Sequence, residues 1–166
     1  RFITEREIFE AKNLARVVSY IDKKAKEQEL NFDVILLLHK MLISNIRDDI
    51  AGRFRNDNEF VRVGSYIAPN PKEVVGLLEK MLADYNATSH ENIIKRIARL
   101  HLTFEHIHPF CDGNGRIGRA LNNYLLIREG FVSVNIKFID RAKYYEAFRE
   151  FDGKGETTIM EDIVGK

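Results

Sequence analysis

Apolar residues recur at helical spacing along most of this chain, and the periodic stretches are separated by capping and turn residues. Ile8, Ala11, Leu14, Ala15, Val18 and Ile21 form one stripe with charges between them. Thr4 followed by Glu7 forms a capping box ahead of that stripe, which predicts a long amphipathic first helix. A second helix is predicted over residues 31–45. Its run Val34–Leu38 is apolar on nearly every side, which places it at the centre of a bundle. Asn70-Pro71-Lys72-Glu73 reads as an N-cap, a proline at the first helical position and an acid behind it. The helix that follows carries Val74, Val75, Leu77, Leu78, Met81 and Leu82. Ser89 or His90 opens a fourth helix through Ile93, Ile94, Ile97, Leu100 and Phe104, which Pro109 ends at His108. A fifth runs through Ile117, Leu121 and Leu125 towards a capping Gly130. Asp140 and Glu156 each stand near the start of a shorter, later helix.

Between the second and third helices the pattern changes. Gly52-Arg53-Phe54-Arg55, the turn-rich Asn56-Asp57-Asn58 and Phe60-Val61-Arg62-Val63 read as a short β-hairpin, with Arg55 and Arg62 as ordinary surface residues. The expected fold is therefore mainly α: a helical bundle with one small hairpin.

Composition narrows the setting. The 166 residues suit a single domain spanning 1–166, and 45% hydrophobic with 31% charged residues is an ordinary globular balance. A net charge of +1, from 26 basic and 25 acidic residues, gives no broad cationic surface, so no nucleic-acid partner is expected. Cys111 is the single cysteine and cannot form an intrachain disulfide. With no apolar run of membrane-spanning length, the expectation is a cytoplasmic protein with no membrane partner. The first residue is Arg1 rather than methionine, so a piece of a longer chain lacking an N-terminal regulatory region is also expected.

The chemistry is concentrated in His108-Pro109-Phe110-Cys111-Asp112-Gly113-Asn114-Gly115-Arg116-Ile117-Gly118-Arg119. The segment lies between two predicted helices. Its glycines permit positive φ and close backbone approach to a ligand, and the helix opening near Asn114 points free N–H groups into the loop. Arg116 and Arg119 share a face of that helix, where two guanidinium forks suit the oxygens of a polyphosphate. Asp112 offers one hard oxygen for Mg²⁺, and His108 is a candidate base near neutral pH.

This segment resembles the signature of the Fic family, His-Pro-Phe-x-(Asp/Glu)-Gly-Asn-Gly-Arg-x-x-Arg, at every specified position. Phe104-Glu105-His106-Ile107 resembles the family's lead-in helix, and residues 52–67 resemble its flap, the hairpin beside the active site. The resemblance implies a protein adenylyltransferase that moves AMP from ATP to a Ser, Thr or Tyr hydroxyl of a target protein docked at the flap. His108 would be the general base, and Asp112 would bind the Mg²⁺. Gly113, Asn114 and Gly115 would form an anion hole, Arg116 would hold the phosphate chain and Arg119 the γ-phosphate. Phe110 would anchor the loop. Tyr144 and Tyr145 resemble the aromatic pair near the adenine, and Asp152 stands where relatives place an adenine contact or simply in a helix-terminal turn. Thr157-Thr158-Ile159-Met160-Glu161-Asp162 approaches the family's inhibitory pattern (Ser/Thr)-x-x-x-Glu-(Gly/Asn) but departs from it at Asp162, so Glu161 is expected to face solvent.

Other readings of the same residues are weaker. Gly113, Gly115 and Gly118 satisfy a dinucleotide fingerprint, but that motif needs a strand before it. His101, Glu105, His106 and His108 evoke a zinc cluster without zincin-like spacing, and a hydrogen-bonded core role suits His101 better. The rival functions are a Fic-fold enzyme that moves another phosphate-bearing group, and a vestigial protein-interaction module.

Overall fold

Thr4 opens the first helix as its spacing predicts: Oγ1 accepts from the Glu7 N–H at 3.1 Å, and α1 runs Glu5–Lys24. These elements come from a computed structural model that describes residues 2–131 and 160–161. α2 (Phe32–Ile43) is capped by Asn31, whose Oδ1 accepts from Val34 N at 2.9 Å. A single 3₁₀ turn at Pro71–Glu73, capped by Asn70, leads into α3 (Val74–Ala87). α4 (Ile93–Ile107) starts three residues later than a cap at Ser89 implies, because Asn92 Oδ1 accepts from both Ile94 N and Lys95 N. α5 (Asn114–Arg128) ends as expected at Gly130, whose φ of 87° lets Phe131 N–H return to the Leu126 carbonyl.

α4 and α5 pack together at the centre, with α3 against α4, and α1 and α2 against α5. The central role expected of α2 belongs to α4, since Leu37 on α2 is 39% exposed. α1 is also rotated from its apolar stripe. It buries Asn13, Val17 and Ile21 and leaves Ile8, Leu14 and Val18 exposed. Asn13 decides this rotation: its Nδ2 donates to the carbonyls of Leu42 at 2.9 Å and Ser44 at 2.7 Å, satisfying the C-terminal end of α2.

The hairpin is shifted from its expected register. β1 (Arg62–Val63) pairs antiparallel with β2 (Tyr66–Ile67) across Gly64-Ser65, and Gly64 supplies the positive φ of 62° that the tight turn needs. Gly52–Arg55 is not a strand, because Arg55 N–H donates to the Pro109 carbonyl at 2.8 Å and its side chain turns inward. A separate turn, Glu59 N–H to Asn56 carbonyl at 2.8 Å, precedes β1. Tyr66 OH sits 2.8 Å from His106 Nε2 and ties the hairpin to α4.

No helix of the described residues is long and apolar enough to cross a membrane.

Candidate active site

The loop between α4 and α5 holds the signature residues, and its shape follows from how each end is tied. His108 caps α4 in the left-handed region at φ 49°, an unusual conformation for a residue with a Cβ. It is half-buried, and its Nδ1 lies 3.1 Å from the Glu105 carbonyl. Only a donor can pair with a carbonyl, so Nδ1 carries the proton and the Nε2 lone pair is left for chemistry. Burial holds the His108 pKa below its ordinary value of 6.5, with the Arg55 cation adding to the shift and the Glu105 bond opposing it. At neutral pH the ring is therefore a neutral base. Activity that needs this neutral form should hold as pH falls to 6.5 and be lost only below that value, a shift read from kcat/KM against pH. An acid limb centred above pH 6.5 would contradict this assignment.

Phe110 is fully buried, as expected of an anchor. Its ring stacks on His39 with centroids 3.8 Å apart and planes 3° from parallel. His39, which the sequence did not single out, is a second fixed point. Gly52 N–H donates to its Nδ1 at 3.0 Å, so Nε2 carries the proton and donates to the Asp112 carbonyl at 2.9 Å. Burial lowers its pKa, and this bonding pattern uses the neutral ring. His39 thus joins α2, the start of the flap segment and the loop.

Asp112 Oδ1 accepts from the next N–H, that of Gly113, at 2.8 Å, leaving Oδ2 for a ligand. Gly113 has φ 84°, which favours glycine, and a Cβ there would also crowd Ile43 Cδ1 at 3.0 Å. The Asn114 side chain braces the loop: Oδ1 accepts from Phe110 N at 2.9 Å and Nδ2 donates to Phe110 O at 2.7 Å. One N–H and the oxygen of its side-chain amide are thereby committed to the loop, and its backbone N–H belongs to the first turn of α5. α5 begins without a side-chain cap, which leaves its first N–H groups open towards the loop. Arg116 is half-buried and Arg119 exposed on this first part of the helix. The Arg119 guanidinium folds back over Gly115, with Nη1 3.4 Å from the position a Cβ would take.

The site meets the demands of Mg²⁺ in its donor set. One partly exposed carboxylate oxygen beside open backbone N–H groups suits an ion held mainly by substrate phosphates and water. Among the described residues, no three His, Cys, Asp or Glu side chains converge as a self-sufficient metal site.

Arg55 departs most from expectation. It is 2% exposed, and its guanidinium reaches the carbonyls of His108 and Ile107. Nearby, Arg53 makes a two-bond pair with Glu59 at 2.6 and 3.0 Å, which holds the Glu59 carboxyl down at about 2. Burial, with Glu59 beside it, pushes the Cys111 thiol up to about 11, so it stays protonated and is a poor nucleophile. His101 is a hydrogen-bonded core histidine, 1% exposed and 3.1 Å from Asn122 Nδ2. A helix rather than a strand precedes the glycines, which removes the dinucleotide reading. Glu161 is half-buried rather than solvent-facing. Tyr144, Tyr145, Asp152, Thr157 and the helices expected near Asp140 and Glu156 lie outside the described residues.

The chain is similar in sequence and fold to known proteins. The Fic/DOC family model matches residues 29–126. "Protein adenylyltransferase Fic" of Drosophila willistoni is 34% identical over 121 residues, 70% of this chain and 24% of that protein. Its namesake in Nematostella vectensis is 35% identical over 127 residues, 73% of this chain and 28% of its own. The chain therefore spans about a quarter of the length of these curated relatives. Among solved structures, Fic-1 (residues 134–508) of C. elegans superposes with a TM-score of 0.81 at 26% identity, covering 98% of this chain and 48% of that one. A Fic-domain signalling protein of Bacteroides thetaiotaomicron has the same fold, with a TM-score of 0.81 at 22% identity, covering 98% of this chain and 64% of that one. The match of the family model and the complete signature on its loop make this chain a member of the Fic/DOC family.

Proposed function

We propose that this domain transfers AMP from ATP to a Ser, Thr or Tyr hydroxyl of a target protein. The observation that carries the reading is the pairing of a neutral histidine, its Nε2 free to accept a proton, with the uncapped N-terminus of α5 in one loop. The naming of the relatives as protein adenylyltransferases supports it.

In this reaction His108 Nε2 takes the proton of the target hydroxyl as its oxygen attacks the α-phosphorus of ATP. The bond from that phosphorus to the oxygen bridging towards the β-phosphate breaks, and pyrophosphate leaves. The first backbone N–H groups of α5, from Asn114, Gly115 and Arg116, receive the charge on the phosphate oxygens, helped by the helix dipole. Arg116 holds the phosphate chain and Arg119 reaches the γ-phosphate. Asp112 would hold the Mg²⁺, which would supply charge neutralisation to the substrate phosphates. For Tyr144 and Tyr145 the proposed role, carried by the family resemblance, is contact with the adenine. The rest of catalysis is positioning.

The target segment lies along the free edge of the flap, residues 52–67, as an added strand. Phe60 and Ile67, 59% and 56% exposed, give that edge apolar contacts for it. ATP use and a fold free of disulfides suit a cytoplasmic enzyme.

A lysate incubated with Mg²⁺ and ATP labelled at the α-phosphate tests the reading. Discrete protein bands should carry label, and chelating the Mg²⁺ should remove it. Label arriving only from the γ-position would make the domain a kinase instead.

A further inference from the structure

Among the described residues no carboxylate pairs with the buried Arg55 cation, and the Glu59 carboxylate is engaged by Arg53. What solvates it is backbone. Nε donates to the His108 carbonyl at 2.7 Å, Nη1 to that of Glu59 at 3.0 Å, and Nη2 to those of Pro69 at 2.8 Å and Ile107 at 3.2 Å. Its own N–H adds a fifth bond, to the Pro109 carbonyl at 2.8 Å.

The origin of those carbonyls is informative. Ile107 and His108 form the C-terminal end of α4, where helix carbonyls lack partners and the dipole favours a positive charge. Glu59 lies just before β1 and Pro69 just after β2. One planar fork therefore binds the entry of the hairpin, the exit of the hairpin and the peptide of the proposed base. A lysine has a single nitrogen and cannot span these three directions. His108 is also the residue held at φ 49°, so its ring direction depends on what pins its carbonyl.

We propose that Arg55 is a positioning residue that fixes the register between the flap and His108, so that a hydroxyl on a flap-bound target meets the base. The inference rests on the AMP-transfer reading for its consequence, and on the hydrogen-bond geometry alone for the tether. The Arg55 side chain does not need to touch ATP or target to have this effect. Its loss should separate acceptor chemistry from nucleotide binding.

The test compares wild type with Arg55→Lys and Arg55→Met, the lysine variant guarding against a methionine variant that fails to fold. Three quantities are read: kcat for transfer to a protein target, affinity for Mg·ATP, and amide-hydrogen exchange across residues 60–67. Arg55→Met should lower kcat by about 100-fold, the scale of an ångström-sized misplacement, with the lysine variant in between. Mg·ATP affinity should stay within about threefold, because the α5 end of the loop is held by Asn114 and His39. Flap amides should exchange faster while those of α5 keep their protection. Wild-type kcat in the lysine variant with unchanged flap exchange would overturn the proposal. So would a fall in Mg·ATP affinity as large as the fall in kcat, which would mark a general loss of structure. Wild-type protein that transfers no AMP would instead sink the functional reading. Flap exchange in the variants would then decide the tether by itself.

Discussion

His108→Ala is expected to lower AMP transfer by about 100- to 10,000-fold while leaving Mg·ATP binding close to wild type. The size follows from the single role of the ring. Its Nδ1 is anchored to the Glu105 carbonyl at 3.1 Å, so Nε2 is the one atom positioned to take the hydroxyl proton. In the proposed mechanism the phosphates meet the uncapped N-terminus of α5 and the arginines, none of which depends on the imidazole. Alanine at φ 49° retains the backbone strain that histidine already carries, and Asn adopts this region more readily. His108→Asn is therefore the second variant, since an equal loss in both separates lost chemistry from lost loop shape. Substantial transfer by either variant would remove His108 from the base role. Loss of Mg·ATP binding would show that the ring shapes the loop.

Gly118→Ala carries the second large effect, and its sign is the opposite of the usual one. Inside a helix, exchanging glycine for alanine normally gains about 1 kcal/mol from propensity. At Gly118 a Cβ would collide with Glu105 Oε1 and lie 3.3 Å from His101 Cε1. Both neighbours are buried on α4, so neither has open space to retreat into. The close approach of α4 and α5 at this point needs a residue without a side chain. Overpacking of this kind costs about 1–3 kcal/mol, enough to outweigh the propensity gain. Thermal unfolding should shift down by several degrees, and transfer should fall with it because the signature loop joins these two helices. Gly76→Ala on α3 is the matched control: nothing lies within 4 Å of its Cβ position, and it should stabilise or leave Tm unchanged. Equal Tm shifts for the two variants would contradict the packing argument.

Features written by neighbouring residues were readable from the chain. Thr4, Asn31 and Asn70 each accept from an N–H two or three residues ahead, and such caps leave a local pattern. The signature segment was legible for the same reason. Its residues act through a contiguous loop, so their order in sequence is nearly their order in space.

What escaped the sequence depends on partners far along the chain. Asn13 sets the rotation of α1 through carbonyls at Leu42 and Ser44, and in the sequence it looks like one more polar residue beside an apolar stripe. The hairpin differs from expectation because Arg55, expected in its first strand, bonds to the α4 end instead, and Arg62–Val63 pairs forward with Tyr66–Ile67. Arg55 and His39 were missed as site residues because both act on main-chain groups of the loop. Backbone contacts leave no complementary side chain to notice. A retrospective signal existed in Gly52-Arg53-Phe54-Arg55, where a glycine and an arginine come three apart at the edge of the flap.

The most direct measurement counts products in one reaction: pyrophosphate released and AMP bound to the target, with purified domain, Mg²⁺ and ATP. The account predicts equal amounts of the two and almost none of either with His108→Ala. A phosphoryl group appended to the target with ADP released, or pyrophosphate formed with no AMP on protein, would contradict it.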